Sequence, residues 1–255
     1  MRGFIVIGGP VAKRAWILDH WFNFVHQAMA RTEYGYRFVF VCDPKDTETL
    51  DIIHRRTSRD GKNRTATVVE VEDPPDAGTR NWGLRERKER MVELRNLALA
   101  VVRRHQPVAY LSLDSDILIH PEAVASMLDA SGGYGGPAAV GGRCYMTPLP
   151  QGASAMNPRS GVACPSYLIQ GRAGQFRRRD PESPGVFPVD VIMAIKMMGP
   201  DAYNVDYQYH QHGEDIGWSL ACGDLGLRLL WDGRVTSKHV MMPEHLHVLD
   251  PRVGY

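Results

Sequence analysis

Four apolar runs separated by segments of helical spacing constrain the fold of this chain most strongly. The runs are GFIVIGG, YRFVFVC, TATVVEV and VAYLSL, and all four fall within the first 120 residues. Continuous apolar runs are typical of parallel strands that are covered on both faces, whereas exposed strands alternate apolar and polar residues. Strands that alternate with helices form α/β folds. The sequence therefore predicts an α/β protein with a mostly parallel, Rossmann-like central sheet and helices on both faces.

The second half of the chain begins with a different composition. Residues 131–188 are rich in Gly, Pro, Ser and Arg, which predicts long middle loops with a hairpin among them. After them, VDVIMAIKMM predicts a strand or buried segment, GEDIGWSLACGDLG a helix, and LRLLWDGRVTSKHVM a last strand. The length of 255 residues suits one sizeable core.

Composition excludes several functional classes. With 30 basic and 29 acidic residues, the net charge gives no general reason to expect nucleic acid or an anionic membrane as a partner. Four widely spaced cysteines argue against a zinc site or a disulfide framework. No segment approaches the roughly 20 apolar residues of a membrane span, and the N-terminal run is too short for a signal peptide. We therefore expect a cytoplasmic protein without a transmembrane segment.

Acidic residues follow two of the predicted strands. Asp43 ends the second, and Asp114 and Asp116 end the fourth within the stretch LSLDSDIL. Ligands of parallel α/β sheets bind at the carboxyl ends of strands, and alternate residues of a strand share a face. Two carboxylates on one face suit Mg²⁺ or Mn²⁺, although such aspartates also commonly cap turns. The stretch lacks the glycine and the ligand series of an EF-hand, and the chain has no phosphate-binding glycine loop.

The order of motifs resembles that of a known enzyme family. After DSD come Glu214-Asp215 at the start of a helix, then CGDLGLRLL and His239, while RNLALAVV precedes DSD. This order, over residues 3–240, resembles nucleotide-sugar-dependent glycosyltransferases of GT-A fold, most closely the family-2-like inverting enzymes. The resemblance implies a single GT-A domain over residues 1–255. Residues 1–120 would form its nucleotide-binding half, and residues 121–255 its acceptor side.

The resemblance also implies roles for the motif residues. Asp116 and His239 would bind the divalent cation, and Asp114 would contact the donor or reach the metal through water. The cation neutralises charge that develops on the diphosphate leaving group. Asp215 would act as the general base toward the acceptor hydroxyl, with Glu214 orienting it or binding the acceptor. His245 and His247 are weaker candidates for the metal site.

The donor implied by the resemblance is a nucleoside-diphosphate-sugar, with UDP as the default nucleotide. Its predicted binding residues are Gly8, Pro10, Asp43, Arg95, Asn96, Asp114 and Ser115. The acceptor is open: a saccharide, a protein, a small molecule or a modified base in DNA. A retaining glycosyltransferase, a nucleotidyltransferase of related fold and a nucleotide-sugar-binding module without turnover are the alternative functions.

Overall fold

The computed structural model of the protein describes residues 3–58, 65–72, 85–132, 138–146, 167–170, 175–178 and 184–247. Its first half alternates strands and helices as predicted. The elements are β1 Phe4–Pro10, α1 Ala15–Met29, β2 Gly35–Cys42, α2 Thr47–Ser58, β3 Ala66–Glu70, α3 Arg85–His105 and β4 Ala109–Leu113. These four strands are parallel, in the order β3-β2-β1-β4. The apolar runs of β1, β2 and β4 are largely buried because helices cover both faces of the sheet, whereas the edge strand β3 is partly exposed.

The second half adds mostly short elements. They are β5 Ile117–Leu118, α4 Ala123–Ala130, β6 Ala139–Met146, β7 Tyr167–Gln170, β8 Gln175–Arg178, β9 Val186–Val189, β10 Ile195–Met198, α5 Pro200–Tyr203, α6 Glu214–Asp224 and β11 Leu229–His239. The predicted hairpin of the middle region corresponds to the β7–β8 pair. The remainder of the predicted loops falls largely outside the described residues.

Nine of the described strands form one sheet that continues from β4 in the order β10-β6-β11-β5, with β9 also paired to β11. In this half β10 is antiparallel to β4 and β6, and β11 is parallel to β6. The predicted α/β architecture is therefore confirmed, with a parallel first half and a mixed second half. No helix of the described residues is both long enough and apolar enough to cross a bilayer.

Two clusters of buried side chains form the core, one on each face of the sheet. The first contains apolar residues of α1, α2 and α4, and the second contains those of α3, α5 and α6. Trp218 and Trp231 are buried in the second cluster, in agreement with the expectation that they pack in the core. Cys42, Cys144 and Cys222 are buried.

The polypeptide between β4 and β5 connects distant strands of the sheet. β5 begins only four residues after β4 ends, yet it pairs with the far strand β11 rather than with a neighbour of β4. A bulge makes this possible, since Gly233–Val235 of β11 have no partners on β6 between the pairs Asp232–Gly142 and Thr236–Arg143. Bulges bend strands. The second half of β11 thereby returns to the carboxyl end of β4.

Candidate active site

A cleft of about 1260 Å³ opens at the carboxyl ends of the parallel strands. Segments that follow β1, β2, β3 and β4 form its walls, together with the N-terminal half of α3 and the start of α6. Seven of the predicted site residues line it: Pro10, Asp43, Arg95, Asp114, Ser115, Asp116 and Glu214. This is the edge at which parallel α/β sheets bind ligands.

Asp114 and Asp116 lie in a turn, which corrects the expectation that they alternate within a strand. β4 ends at Leu113, and the amide of Ile117 donates to the carbonyl of Asp114 at 3.1 Å. The indole Nε1 of Trp21, from α1, donates to the same carbonyl at 3.2 Å. The turn separates the two carboxylates, so each has its own partners.

Asp116 is held between a guanidinium and an imidazole. Its Oδ2 accepts from Arg14 at 2.9 Å, and its Oδ1 lies 3.3 Å from Nε2 of His239. Burial lowers the pKa of the His239 imidazole, but the hydrogen bond to Asp116 and the negative charge of Asp116 and its neighbours together outweigh burial and raise that pKa to about 9. Burial likewise opposes ionisation of Asp116, but His239 and Arg14 lower its pKa below the ordinary value.

The β5–β11 pair brings His239 to Asp116 from 123 residues away in the sequence. His239 is in register with Ile117, and the amide of Val240 donates to the carbonyl of Asp116 at 2.8 Å. Backbone pairing therefore fixes the carboxylate and the imidazole side by side. By contrast, His245 is buried in a separate 3₁₀ turn, and His247 contacts the ring of His20.

The Asp116–His239 pair would suit a divalent cation that takes few protein ligands and displaces the proton shared between the imidazole and the carboxylate. Carboxylate oxygen and imidazole nitrogen are both ligands of Mn²⁺, and such ions complete their coordination with water and substrate phosphates. No group of three His, Cys, Asp or Glu side chains within the described ranges has metal-binding geometry. Asp114 is not part of the pair, because its carboxylate accepts from Arg95.

Arg95 joins Asp114 to the acidic start of α6. Its guanidinium donates to Asp114 Oδ1 at 2.7 Å, to Glu214 Oε1 at 3.1 Å and to Ser112 Oγ at 3.2 Å. The residue is only 5% exposed, although it carries a charge. Arg95 thus crosslinks β4, α3 and α6 beneath the cleft.

Glu214 and Asp215 face different surroundings. Glu214 lines the cleft, and burial together with the charge of Asp215 raises its pKa above the ordinary value. Asp215 is 7% exposed and accepts from Nζ of Lys196 and, at 2.9 Å, from the amide of Ala194. Burial opposes ionisation of Asp215, but Lys196 and Arg95 lower its pKa. The carboxylate predicted to be the general base is therefore held inside the protein, and its neighbour faces the cleft.

Two predicted donor-binding residues have other contacts. Gly8 lies inside β1 with φ of +129°, and a Cβ atom there would be 2.2 Å from the carbonyl oxygen of Val39. Its glycine identity is thus explained by close packing of β1 against β2. The Asn96 side chain makes two hydrogen bonds to the backbone of Tyr207, at 3.0 and 2.7 Å. Asn96 therefore anchors the segment that leads to α6.

Sequence reasoning missed Arg14 and Lys196. Arg14 follows Gly8-Gly9-Pro10, a stretch in which the resemblance implies donor-binding roles only for Gly8 and Pro10. Lys196 stands in the apolar run VIMAIKMM, and a single charge inside a buried strand was the available signal. Neither has a recognisable motif around it.

Comparison with known proteins supports the fold. No protein-family model matches the chain, and no curated protein matches it. A crystal structure of S. aureus TarS 1-349 in complex with UDP superposes with a TM-score of 0.53 at 14% identity, covering 95% of this chain and 61% of that one. A crystal structure of GalNAc-T7 with UDP, GalNAc and Mn²⁺ superposes with a TM-score of 0.59 at 12% identity, covering 93% of this chain and 44% of that one.

The chain spans less than two thirds of either protein. At these identities the similarity concerns the fold, which both crystal structures share with almost the whole of this chain. The order of strands, the cleft at their carboxyl ends and the two superpositions agree with the resemblance found in the sequence. The chain has the GT-A fold of nucleotide-sugar glycosyltransferases.

Proposed function

We propose that this protein transfers a sugar from a nucleoside-diphosphate-sugar to an acceptor hydroxyl. The observation that carries the proposal is the set of residues that line the cleft. The cleft is lined by Asp116, which pairs with His239, and by Glu214, a carboxylate of raised pKa. The crystallised neighbours hold UDP, and one of them also holds Mn²⁺ and a sugar. UDP is therefore the first nucleotide to test.

For the donor, we propose that one part of the cleft binds the base and another part binds the diphosphate. Pro10, at the end of β1, and Asp43, directly after β2, line the cleft and would contact the nucleoside. Asp116 and His239 would hold Mn²⁺ or Mg²⁺, which neutralises charge on the departing diphosphate. Arg14 lines the same cleft, and its buried Nε has no hydrogen-bond partner within the described residues. An arginine with unused N–H groups suits a phosphate oxygen.

For the acceptor, we propose Glu214 as the general base, in place of the Asp215 predicted from the resemblance. The acceptor oxygen forms a bond to the anomeric carbon while the bond from that carbon to the diphosphate oxygen breaks. Glu214 accepts the hydroxyl proton, and the nucleoside diphosphate leaves. A base works best when its pKa approaches the working pH, which favours the carboxylate of raised pKa over the one of lowered pKa. An inverting outcome follows from such direct displacement.

Residues 1–120 would then bind the nucleotide, and residues 121–255 would contribute the acceptor side. Glu214 and His239 both come from the second part, while Asp43 and Asp116 come from the first. The proposed reaction therefore takes place where the two parts of the chain meet.

Isothermal titration with UDP, in Mn²⁺ or in EDTA, is the first test. We expect binding that weakens in EDTA and in the variant Asp116→Asn, because both remove part of the diphosphate site. An Asp206→Asn variant is the control, since Asp206 is exposed and pairs with Arg103 outside the cleft lining. Absence of UDP binding in every condition would contradict a UDP-sugar donor, and a panel of other nucleoside diphosphates would then test the wider proposal.

Turnover is tested with UDP-glucose, UDP-galactose and their N-acetylated forms. Slow release of UDP without an added acceptor is expected from an enzyme, whereas a binding module would release none. Proton NMR of the first transferred product reports the anomeric configuration. Retention of configuration would contradict direct displacement with Glu214 as base.

A further inference from the structure

Lys196 is a charged residue with no exposed surface in the middle of the central sheet. It lies in β10, in register with Ser112 of β4, and its Nζ donates to Asp215. Its Nζ also lies 5.3 Å from the ring centre of Tyr207 and 5.9 Å from that of Trp218. Buried ion pairs contribute little net stability compared with well-packed apolar residues. Stability alone therefore does not account for a lysine at this position.

The partner of Lys196 also holds a strained turn. Ala194 has a φ of +42°, and the amide of Ile195 donates to the carbonyl of Met193 across it at 2.5 Å. Such a conformation is unfavourable for a residue other than glycine and persists only where the surroundings enforce it. The second oxygen of Asp215 accepts from the Ala194 amide at 2.9 Å. Asp215 thus binds the lysine and the turn with its two oxygens.

A second contact repeats this attachment one helical turn later. The amide of Ile192 donates to Oγ of Ser219 at 3.2 Å, and the same Oγ lies 3.3 Å from the carbonyl of Ile192. Asp215 and Ser219 are four residues apart, so they lie on one face of α6. This face is fixed to the segment 192–196. Glu214, the residue before Asp215, begins the same helix.

The charges around Glu214 are unequal in number. Arg95 and Lys196 are the cations, and Asp114, Glu214 and Asp215 are the carboxylates, contributed by α3, β10, the turn after β4 and α6. Lys196 is paired with Asp215, and Arg95 is shared between Asp114 and Glu214. Removal of Lys196 would leave one cation for three carboxylates at the wall of the cleft.

We propose that Lys196 is a positioning residue for sugar transfer. It holds Asp215 against the Ala194 turn, and this attachment sets the first turn of α6 so that Glu214 faces the cleft. The inference rests on the proposed function and assigns to its site a residue that never touches substrate. Asp215 shares this positioning role.

The test compares Lys196→Arg, Lys196→Met and the double variant Lys196→Met/Asp215→Asn. The double variant removes both charges, so it avoids the unpaired buried carboxylate that would destabilise Lys196→Met. Arg55→Met/Asp19→Asn is the control, because it removes another ion pair between two elements, α2 and α1, and neither residue lines the cleft. The measurements are the melting temperature, the Kd for UDP with Mn²⁺, kcat and KM for UDP-sugar turnover, and hydrogen exchange of the Ala194 amide.

In the double variant we expect a folded protein with an unchanged Kd for UDP and unchanged KM. Its kcat should fall on the order of 10²-fold, the cost of a misplaced catalytic group. The Ala194 amide should exchange faster, Lys196→Arg should restore most of kcat, and the control should keep the wild-type kcat.

A double variant with wild-type kcat would overturn this inference and leave the proposed function intact. Equal losses of kcat in the double variant and in the control would overturn it as well, because they would indicate a general loss of structure. A wild-type protein that neither binds nucleotides nor releases UDP from the sugar donors would overturn the proposed function itself.

Discussion

Glu214 and Asp215 are adjacent in the chain and have opposite electrostatic surroundings. Asp215 is paired with a buried lysine, whereas Glu214 shares Arg95 with Asp114 at the wall of the cleft. The pKa of Glu214 is raised by burial and by Asp215, while Lys196 and Arg95 lower that of Asp215 against the effect of burial. One acidic pair therefore contains one group suited to accept a proton and one suited to hold structure.

Replacement of Glu214 by Gln should remove turnover and leave nucleotide binding intact. The amide keeps the size of the side chain and its contact with Arg95 but cannot accept the acceptor proton. We expect kcat for transfer to fall about 10²- to 10⁴-fold, the usual contribution of a general base. Titration calorimetry with UDP is the binding measurement. A Gln variant of wild-type rate would show that another group takes the proton.

The pH dependence of kcat/KM should report the ionisation of Glu214. Glu214 acts as a base in its ionised form, so activity should rise with pH through a pKa above the ordinary glutamate range and then level off. Asp215→Asn removes a negative charge that raises this pKa, and it also frees the positive charge of Lys196. In that variant, the rise of kcat/KM with pH should occur at lower pH. A profile unchanged by Asp215→Asn would contradict the assignment.

At this scale the sequence predicted part of the site. The order of DSD, the Glu214-Asp215 pair and His239 identified residues that the fold brings to one region. It could not reveal that Lys196, inside an apolar run, would form an ion pair with Asp215, because the two partners are distant in sequence. Nor could it reveal that Asn96 binds backbone, since an asparagine on a helix carries no sign of its partner.

At the scale of elements, the parallel half of the sheet follows directly from its apolar runs. β1 and β2 are long and largely buried, and Gly8 near the end of β1 permits their close approach. The mixed half was less predictable, because β5 has two residues and owes its existence to a partner more than 100 residues away. Strands this short have no periodicity to detect.

Gly8→Ala should destabilise the protein severely. At φ of +129° the new Cβ atom would meet the carbonyl oxygen of Val39 at 2.2 Å, so backbone strain and a clash add together. A strained residue alone costs roughly 1–3 kcal/mol, and we expect a larger loss here. Gly132→Ala is the control, because its φ is +62° and no atom lies within 4 Å of the new Cβ. Urea unfolding of both variants is the measurement, and equal losses would contradict the packing argument.

At the scale of the whole molecule, one sheet runs through both parts of the chain. β5, from the first 120 residues, forms the far edge of a sheet whose opposite edge is β3. The core clusters on its two faces also draw on both parts. A short N-terminal fragment would therefore expose apolar surface on both faces of its sheet.

Unfolding of the whole protein should consequently be a single transition. Trp16 and Trp21 belong to one core cluster and Trp218 and Trp231 to the other, so Trp16→Phe/Trp21→Phe and Trp218→Phe/Trp231→Phe variants weight the fluorescence toward opposite faces of the sheet. We expect the urea curves of each variant to coincide with its own circular dichroism curve. Two separated transitions would indicate that the nucleotide-binding and acceptor parts unfold independently.

The three residues of the β11 bulge that have no partners on β6 set the position of His239 along its strand. Side chains of a strand alternate between its faces, so a strand that gained or lost one residue at 233–235 would present His239 to the opposite side unless the bulge absorbed the change. The Asp116 carboxylate, fixed by the adjoining turn, would then face a different neighbour. Insertions in this bulge offer protein engineers a way to disconnect the imidazole from the carboxylate while every residue of the cleft keeps its identity.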